Sequence, residues 1–255
     1  MYDFANQPFT TLIVTFIYGT FFTKVIAENE IVGTLFWSRG ITITALIVAF
    51  LSPLMGAIAD NGGYRKLYLI FWTWVSIAGA LLLWFPGEGE VIFALTAFII
   101  GNVGFEMGSV FCNAFLPDIA PKEKIGRVSG YGWSLGFLGG LIALALGLVL
   151  FINPEVPIFN LDKSVHEHIR GTNIMVAIWF AIFSIPTFLF INEDKYTGKR
   201  KSELISDSIK QIKETFHNVR QYREMTRFLI ARLVYNDGLI TIFAFGGIYA
   251  AGTFD

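Results

Sequence analysis

VIFALTAFIIGNVGFEMGSVFCNAFLP, residues 91–117, carries one charge, Glu106, in a stretch otherwise apolar, small or uncharged polar. A helix needs about 20 mostly apolar residues to cross roughly 30 Å of hydrocarbon, and this segment supplies them. Six further stretches compare with it, at about 4–23, 40–59, 67–85, 128–152, 173–191 and 228–251. Each is apolar all round rather than along one stripe, unlike an amphipathic surface helix. The first has no basic leader and carries Asp3 and Asn6, so it does not read as a cleaved signal peptide.

Composition points the same way. Of 255 residues, 54% are hydrophobic and 15% are charged, where a soluble domain has about 25% charged. A soluble chain of this length has no core large enough to hide so much apolar surface. The net charge of −1 gives no overall attraction to nucleic acid. A single cysteine, Cys112, excludes an intrachain disulfide framework and a cysteine-built zinc site. The expected class is an all-α polytopic membrane protein, with the lipid bilayer as its principal partner.

Lysine and arginine collect on the cytoplasmic side of short loops. The loops after spans 2 and 4 hold Arg65, Lys66, Lys122, Lys124 and Arg127, and the segment after span 6 holds nine more. The opposite loops hold only Lys24, Arg39, Lys163 and Arg170, so the bias is 14 against 4. It alternates correctly only if the N-terminus is cytoplasmic and all seven spans are real.

The expected organisation is a six-helix unit over 1–191, a cytoplasmic linker over 192–227, and a seventh span within 228–255. In the linker, Ile205, Ile209, Ile212, Phe216 and Val219 recur at helical spacing. They make either an amphipathic helix on the membrane surface or a solvated linker with one apolar side. An offset of 233 aligns Tyr2 with Tyr235 and Gly19-Thr20-Phe21 with Gly252-Thr253-Phe254, and sets Asp3 opposite Asn236. Both segments open the first span after a cytoplasmic stretch, as parallel transporter repeats do, although shared composition could produce the same match. The chain is expected to be part of a longer protein whose second half is missing.

Within span 4, Asn102, Glu106, Ser109 and Asn113 fall on one helix face. An intramembrane carboxylate costs several kcal/mol unless paired, protonated or wet. Glu106 is therefore expected to face a cavity, as a carrier of a coupling proton or a contact for a substrate ammonium group. The competing reading is a structural pair with Arg39, Arg232 or another cation. In span 5, Gly132, Gly136 and Gly140 recur every four residues with Gly139 beside them, a pattern for close helix packing. Trp37, Trp84 and Trp133 read as interfacial belt residues. His166 and His168 flank Glu167 without His-Glu-x-x-His spacing, and neither a metal site nor a cofactor is expected.

The loop after span 2 reads Gly56-Ala-Ile-Ala-Asp60-Asn-Gly-Gly63-Tyr64-Arg65-Lys66. It resembles the cytoplasmic loop motif of the major facilitator superfamily, with Gly56, Asp60, Gly63 and Arg65 in matching positions. Tyr64 stands where the family often has its first basic residue. Asp60 at a helix end can hold an arginine or a neighbouring helix in one conformation, and an ordinary polar turn is the plainer alternative. The opening Tyr2-Asp3-Phe4-Ala5-Asn6, the run Gly126-Arg-Val-Ser-Gly-Tyr-Gly-Trp133, and Tyr235-Asn236-Asp237-Gly238 narrow the likeness. They are similar to the vacuole-effluxer-like family of this superfamily, whose fungal members resemble autophagy-linked amino-acid exporters.

The resemblance implies twelve spans in two halves around a central cavity, lined by the first helix of each half. Asp3, Asn6, Arg232, Asn236 and Asp237 then resemble gate or substrate contacts, against an interfacial snorkelling or capping role. The implied function is a secondary transporter of a small solute, an amino acid by resemblance, with protons as the default coupling ion. No Gly-x-x-x-x-Gly-Lys-(Ser/Thr) phosphate loop is present. The membrane would be the plasma (inner) membrane of a bacterium or the vacuolar membrane of a fungus.

The alternative is a seven-helix receptor or sensor. Span 7 lacks the Schiff-base lysine of a retinal protein, and a cytoplasmic N-terminus disfavours a typical seven-helix receptor. A membrane-embedded enzyme is disfavoured because no nucleophile–base or metal-ligand cluster stands at helical spacing.

Overall fold

Apolar segments of this length place their backbone polar groups in helices, the form that satisfies them within the segment. The computed structural model describes residues 1–193, 207–210, 213–214 and 223–253. Seven long helices organise them: α1 (Tyr2–Ile26), α2 (Glu30–Gly62), α3 (Arg65–Leu82), α4 (Val91–Ala114), α5 (Ile125–Gly147, continued to Ile152), α6 (Glu167–Phe190) and α7 (Arg223–Thr253). No strand occurs among the described residues.

Six of these helices are long and apolar enough to cross a membrane, and the protein is an integral, multi-pass membrane protein. The expected span at 67–85 is the helix α3, but α3 lacks the composition of the other six. It has 18 residues and opens on Arg65 and Lys66, and Thr73 and Ser76 dilute its apolar run. Along its length α3 lies against α4 through small residues. A side chain on Gly79 would collide with the backbone of Gly101, and one on Gly104 with the backbone of Ser76. Close backbone approach of this kind holds helices together where lipid and protein are equally apolar.

The first span is the centre of the bundle. Pro8 sits inside it and cannot donate to the carbonyl of Phe4. That carbonyl instead accepts from the indole Nε1–H of Trp179 on α6, at 3.0 Å. Beyond Pro8 the helix widens to π-type turns over Phe9–Phe16 and again over Phe22–Ile26. Leu12, Ile13, Tyr18 and Phe22 are fully buried.

Trp37 is not a belt residue. It is fully buried and stacks on Phe98 at 4.0 Å between ring centroids, with Tyr18 and Phe22 close by. The helix that carries it begins at Glu30, well before the expected 40, because Asn29 caps it by accepting from the Val32 N–H. Trp133 is exposed and Trp84 is half-buried.

The glycines of α5 form the seam against α1. Gly132 and Gly136 lie under Asp3, Gly139 under Phe4, and Gly140 against Thr11 and Gln7. The last helix, α7, touches the bundle near its far end. Gly247 packs on the Thr15 carbonyl, and Lys24 Nζ donates to the Ala251 carbonyl at 2.8 Å. Of the linker pattern, Ile209 is described and exposed. Ile205, Ile212, Phe216 and Val219 lie outside the described residues, as does Phe254 of the repeat.

Candidate functional site

Tyr2, Asn6 and Phe9 of α1 point at one side of α4 because they sit at successive turns of the same face. Asn6 Nδ2 donates to Ser109 Oγ at 3.2 Å, and Ser109 in turn donates to the Phe105 carbonyl at 3.0 Å. Phe9 stacks on Phe105 with 5.5 Å between centroids. A side chain on Gly108 would strike the Tyr2 hydroxyl, so glycine there lets the two helices close. Thr73 Oγ1 donates to the Leu69 carbonyl at 2.7 Å, which leaves the Tyr2 hydroxyl as donor in its 2.8 Å bond to Thr73.

The polar stripe of α4 turns from this buried contact toward an open face. Asn102 is buried, Ser109 is half-buried, and Glu106 and Asn113 are exposed. The Glu106 carboxylate makes no hydrogen bond or ion pair among the described residues. The proposed structural partners do not reach it. Arg39 is exposed, with its guanidinium over the Phe36 ring at 5.7 Å. Arg232, Asn236 and Asp237 are exposed on α7, and their side chains make no polar contact among the described residues. The structure thus brings Asn6 of α1 and Ser109 of α4 together, with Glu106 one turn from Ser109 along α4. The three α7 residues stand apart from that stripe in hydrogen bonding. Asp3 is half-buried one turn below Asn6, against Gly132 and Gly136 of α5.

A second polar assembly occupies the loop between α2 and α3. Gly63 ends α2 with φ 72°, the left-handed conformation that suits glycine, and its N–H donates to the Ala59 carbonyl. Arg65 then enters a nest of acceptors. Its guanidinium pairs with Asp118 at 2.8 Å and donates to the Ala114 carbonyl at 3.2 Å, while lying over Phe115. Asp60, the expected partner, is farther away at 3.8 Å.

Glu193 caps α3, accepting from the backbone N–H groups of Arg65 at 2.5 Å and Lys66 at 3.0 Å. Lys66 Nζ reaches the Ile191 carbonyl at 2.7 Å. An exposed ion pair contributes about 0–1 kcal/mol. The Arg65 and Glu193 side chains are only 20% and 12% exposed, so their charge-assisted hydrogen bonds belong in the range of about 1.5–3 kcal/mol. The loop therefore clamps the ends of α4 and α6 to the start of α3.

Asp118 and Glu193 escaped the sequence reading. Their signal was an acid at the end of each span that closes beside a basic loop. At Gly56, by contrast, an added side chain would meet nothing within 4 Å among the described residues beyond its own helix.

Residues 34–255 match the family described as vacuole effluxer Atg22 like. An uncharacterized MFS-type transporter, YxiO, of Bacillus subtilis is 26% identical over 98% of this chain and 59% of its own length. Autophagy-related protein 22 of Yarrowia lipolytica is 21% identical over 83% of this chain and 48% of its own length. An uncharacterized protein of Aquifex aeolicus is 24% identical over 94% of this chain and 54% of its own length. The chain thus spans about half the length of these relatives. No solved structure matches it.

Proposed function

The chain belongs to the vacuole effluxer Atg22-like family, and from that premise we propose that it forms one wall of the solute path in a secondary transporter. The observation that carries this reading is Glu106, a carboxylate with no protein partner among the described residues, on the open face of a helix that crosses the membrane. Such a charge is tolerated where the face meets a wet cavity rather than lipid. Asn102, Ser109 and Asn113 extend the polar face along α4, and Asn6 ties it to α1.

On this reading residues 1–191 are the first half, 192–227 the cytoplasmic linker, and 228–255 the opening helix of the second half. The N-terminus is cytoplasmic, as the 14-to-4 bias of basic residues favours. Arg232, Asn236 and Asp237 face the path from the second half. The Asp60–Arg65–Asp118–Glu193 assembly is the cytoplasmic gating loop, held closed in one of two conformations. The solute is an amino acid, as the family resemblance suggests, and the coupling ion is the proton.

The test is solute flux in proteoliposomes containing the full-length protein, with an imposed pH gradient. Glu106→Gln is expected to abolish gradient-driven flux while leaving helical content and membrane insertion intact. Flux with unchanged pH dependence in that variant removes Glu106 from the coupling role.

A further inference from the structure

A cavity of about 360 Å³ lies between the end of α5, the loop that follows it and the first half of α6. Leu146, Leu150 and Phe151 form its α5 wall, where the helix widens into π-type turns over Leu148–Ile152. Its α6 wall runs from Gly171 to Phe183, about 18 Å of helix. A cavity of that volume over that length is a slot rather than a round pocket. Among the described residues, every side chain that lines it is aliphatic, aromatic or methionine. The Trp179 indole N–H is already donated to the Phe4 carbonyl.

The slot is closed at the loop end and open along its side. A side chain on Gly171 would collide with Leu161 and crowd Phe151, so the loop end is packed shut. Phe159 and Asn160 hold left-handed backbone, φ 62° and 53°, which a bulky side chain rarely adopts. Such strain persists where surrounding bonds fix it. Here the Asn160 N–H donates to the Pro157 carbonyl at 3.1 Å, and the Asp162 N–H to the Glu167 carboxylate at 2.9 Å. The result is a built rim, with Phe159 lining the slot and yet exposed. Along the side, Ile178 and Ile182 line the slot and are exposed. They continue into Ile185 and Leu189, also exposed, as one helical stripe. α6 is long and apolar enough to cross a membrane, so this stripe opens the slot toward hydrocarbon. α7 docks on α1 at Thr15 and Lys24, neither of which lines the slot.

Water does not fill such a space, because a buried water needs several polar partners. Left empty, its walls lose their dispersion contacts. We propose that the slot holds one acyl chain of a bilayer phospholipid, inserted from the side between α5 and α6. The chain is what the site recognises. Arg170, whose guanidinium lies over the Trp84 ring in the wall at 5.6 Å, donates its terminal N–H groups to the carbonyls of Trp84, Phe85 and Val165. The inference goes beyond the solute path and does not rest on Glu106.

The full-length protein is reconstituted in phosphatidylcholine vesicles doped with phosphatidylcholine that carries a diazirine on its acyl chain. After irradiation, the labelled residues are located by mass spectrometry. Leu189, on the outer stripe, reports lipid that merely surrounds the protein. Leu150 and Met175, half-buried in the walls, report a chain inside the slot. Label is expected at all three.

Ile174→Trp fills the slot from the α6 wall. It should lower labelling of Met175 by about tenfold or more, the effect of shutting out about two methylene groups. Labelling of Leu189 should persist, which shows that the variant is inserted. Leu150→Phe narrows the slot from the α5 wall, is read in the same way at Met175, and guards against misfolding of Ile174→Trp. Label confined to Leu189 overturns the proposal, and is the result if a helix of the second half covers the slot. Labelling of Met175 unchanged within about twofold in both variants overturns it too. The measurement involves no transport, so its failure leaves the flux test of Glu106 standing, and a failed flux test leaves it standing in turn.

Discussion

α1 and α7 share a sequence pattern and differ in what surrounds it. In the most apolar stretch of α1, 61% of residues are buried, against 6% for α7. Tyr2 is 3% exposed and hydrogen-bonded to Thr73, while its counterpart Tyr235 is 72% exposed. Gly19 has the Val14 carbonyl and the Trp37 ring within 3.3 Å of where a Cβ would stand, whereas Gly252 has, among the described residues, only a Glu30 carboxylate oxygen at 4.0 Å. One helix is the hub of a bundle and the other leans on it near one end, at Gly247 and Ala251. The lesson is that a repeated pattern encodes a helix and its small and aromatic positions. Burial is conferred by neighbours, and of these two helices only α1 is enclosed by them among the described residues.

Paired substitutions test that asymmetry directly, and the largest effect falls at the tyrosines. Tyr2→Ala is expected to cost about 3–5 kcal/mol, since it empties a buried aromatic site. Tyr235→Ala should change stability by no more than about 0.5 kcal/mol. Unfolding titrations in mixed micelles measure both, and equal losses would break the comparison by showing α7 enclosed as α1 is.

A smaller gap is expected at the glycines. Gly19→Val forces a side chain against the Val14 carbonyl and Trp37, at about 1–3 kcal/mol, while Gly252→Val stays within about 0.5 kcal/mol. The same titration reads this pair, and a stable Gly19→Val would mean that α1 has slack beside Trp37.

The finest distinction is the hydroxyl. Tyr2→Phe removes one buried hydrogen bond at about 1 kcal/mol, and Thr73 keeps its own acceptor at Leu69. Tyr235→Phe should be silent. A silent Tyr2→Phe would assign the value of Tyr2 to its ring alone, which packs edge-on to Phe180 at 5.8 Å.

Much of the site could be read before any coordinates. Glu106 announced itself as the one charge of span 4, and the i, i+4, i+7 spacing fixed which residues share its face. Gly63 and Arg65 were visible through the likeness of their loop to the major-facilitator motif. The partners of Arg65 were not. Asp118 and Glu193 are respectively 53 and 128 residues away along the chain, and no periodicity links acids at the ends of three different helices. Trp37 was misread for a related reason. Tryptophan near a span end suits an interface, and only the packing of Phe98 and Tyr18 around it shows a core ring. The competing reading of Glu106, a structural pair with Arg39 or Arg232, likewise rested on charge alone, and no such pair forms among the described residues.

From the order of residues alone come the membrane class, the helices and their approximate bounds, the basic-loop bias and the polar stripe of α4. These depend on local composition, on a backbone that must satisfy its own hydrogen bonds in lipid, and on a fixed rise and turn per residue. Tertiary packing decided which glycines are crossings, which carbonyl Pro8 released to Trp179, which acids receive Arg65, and which carboxylates stand without a partner. Those are matters of contact between segments distant in sequence, where fractions of an ångström separate a seam from a collision.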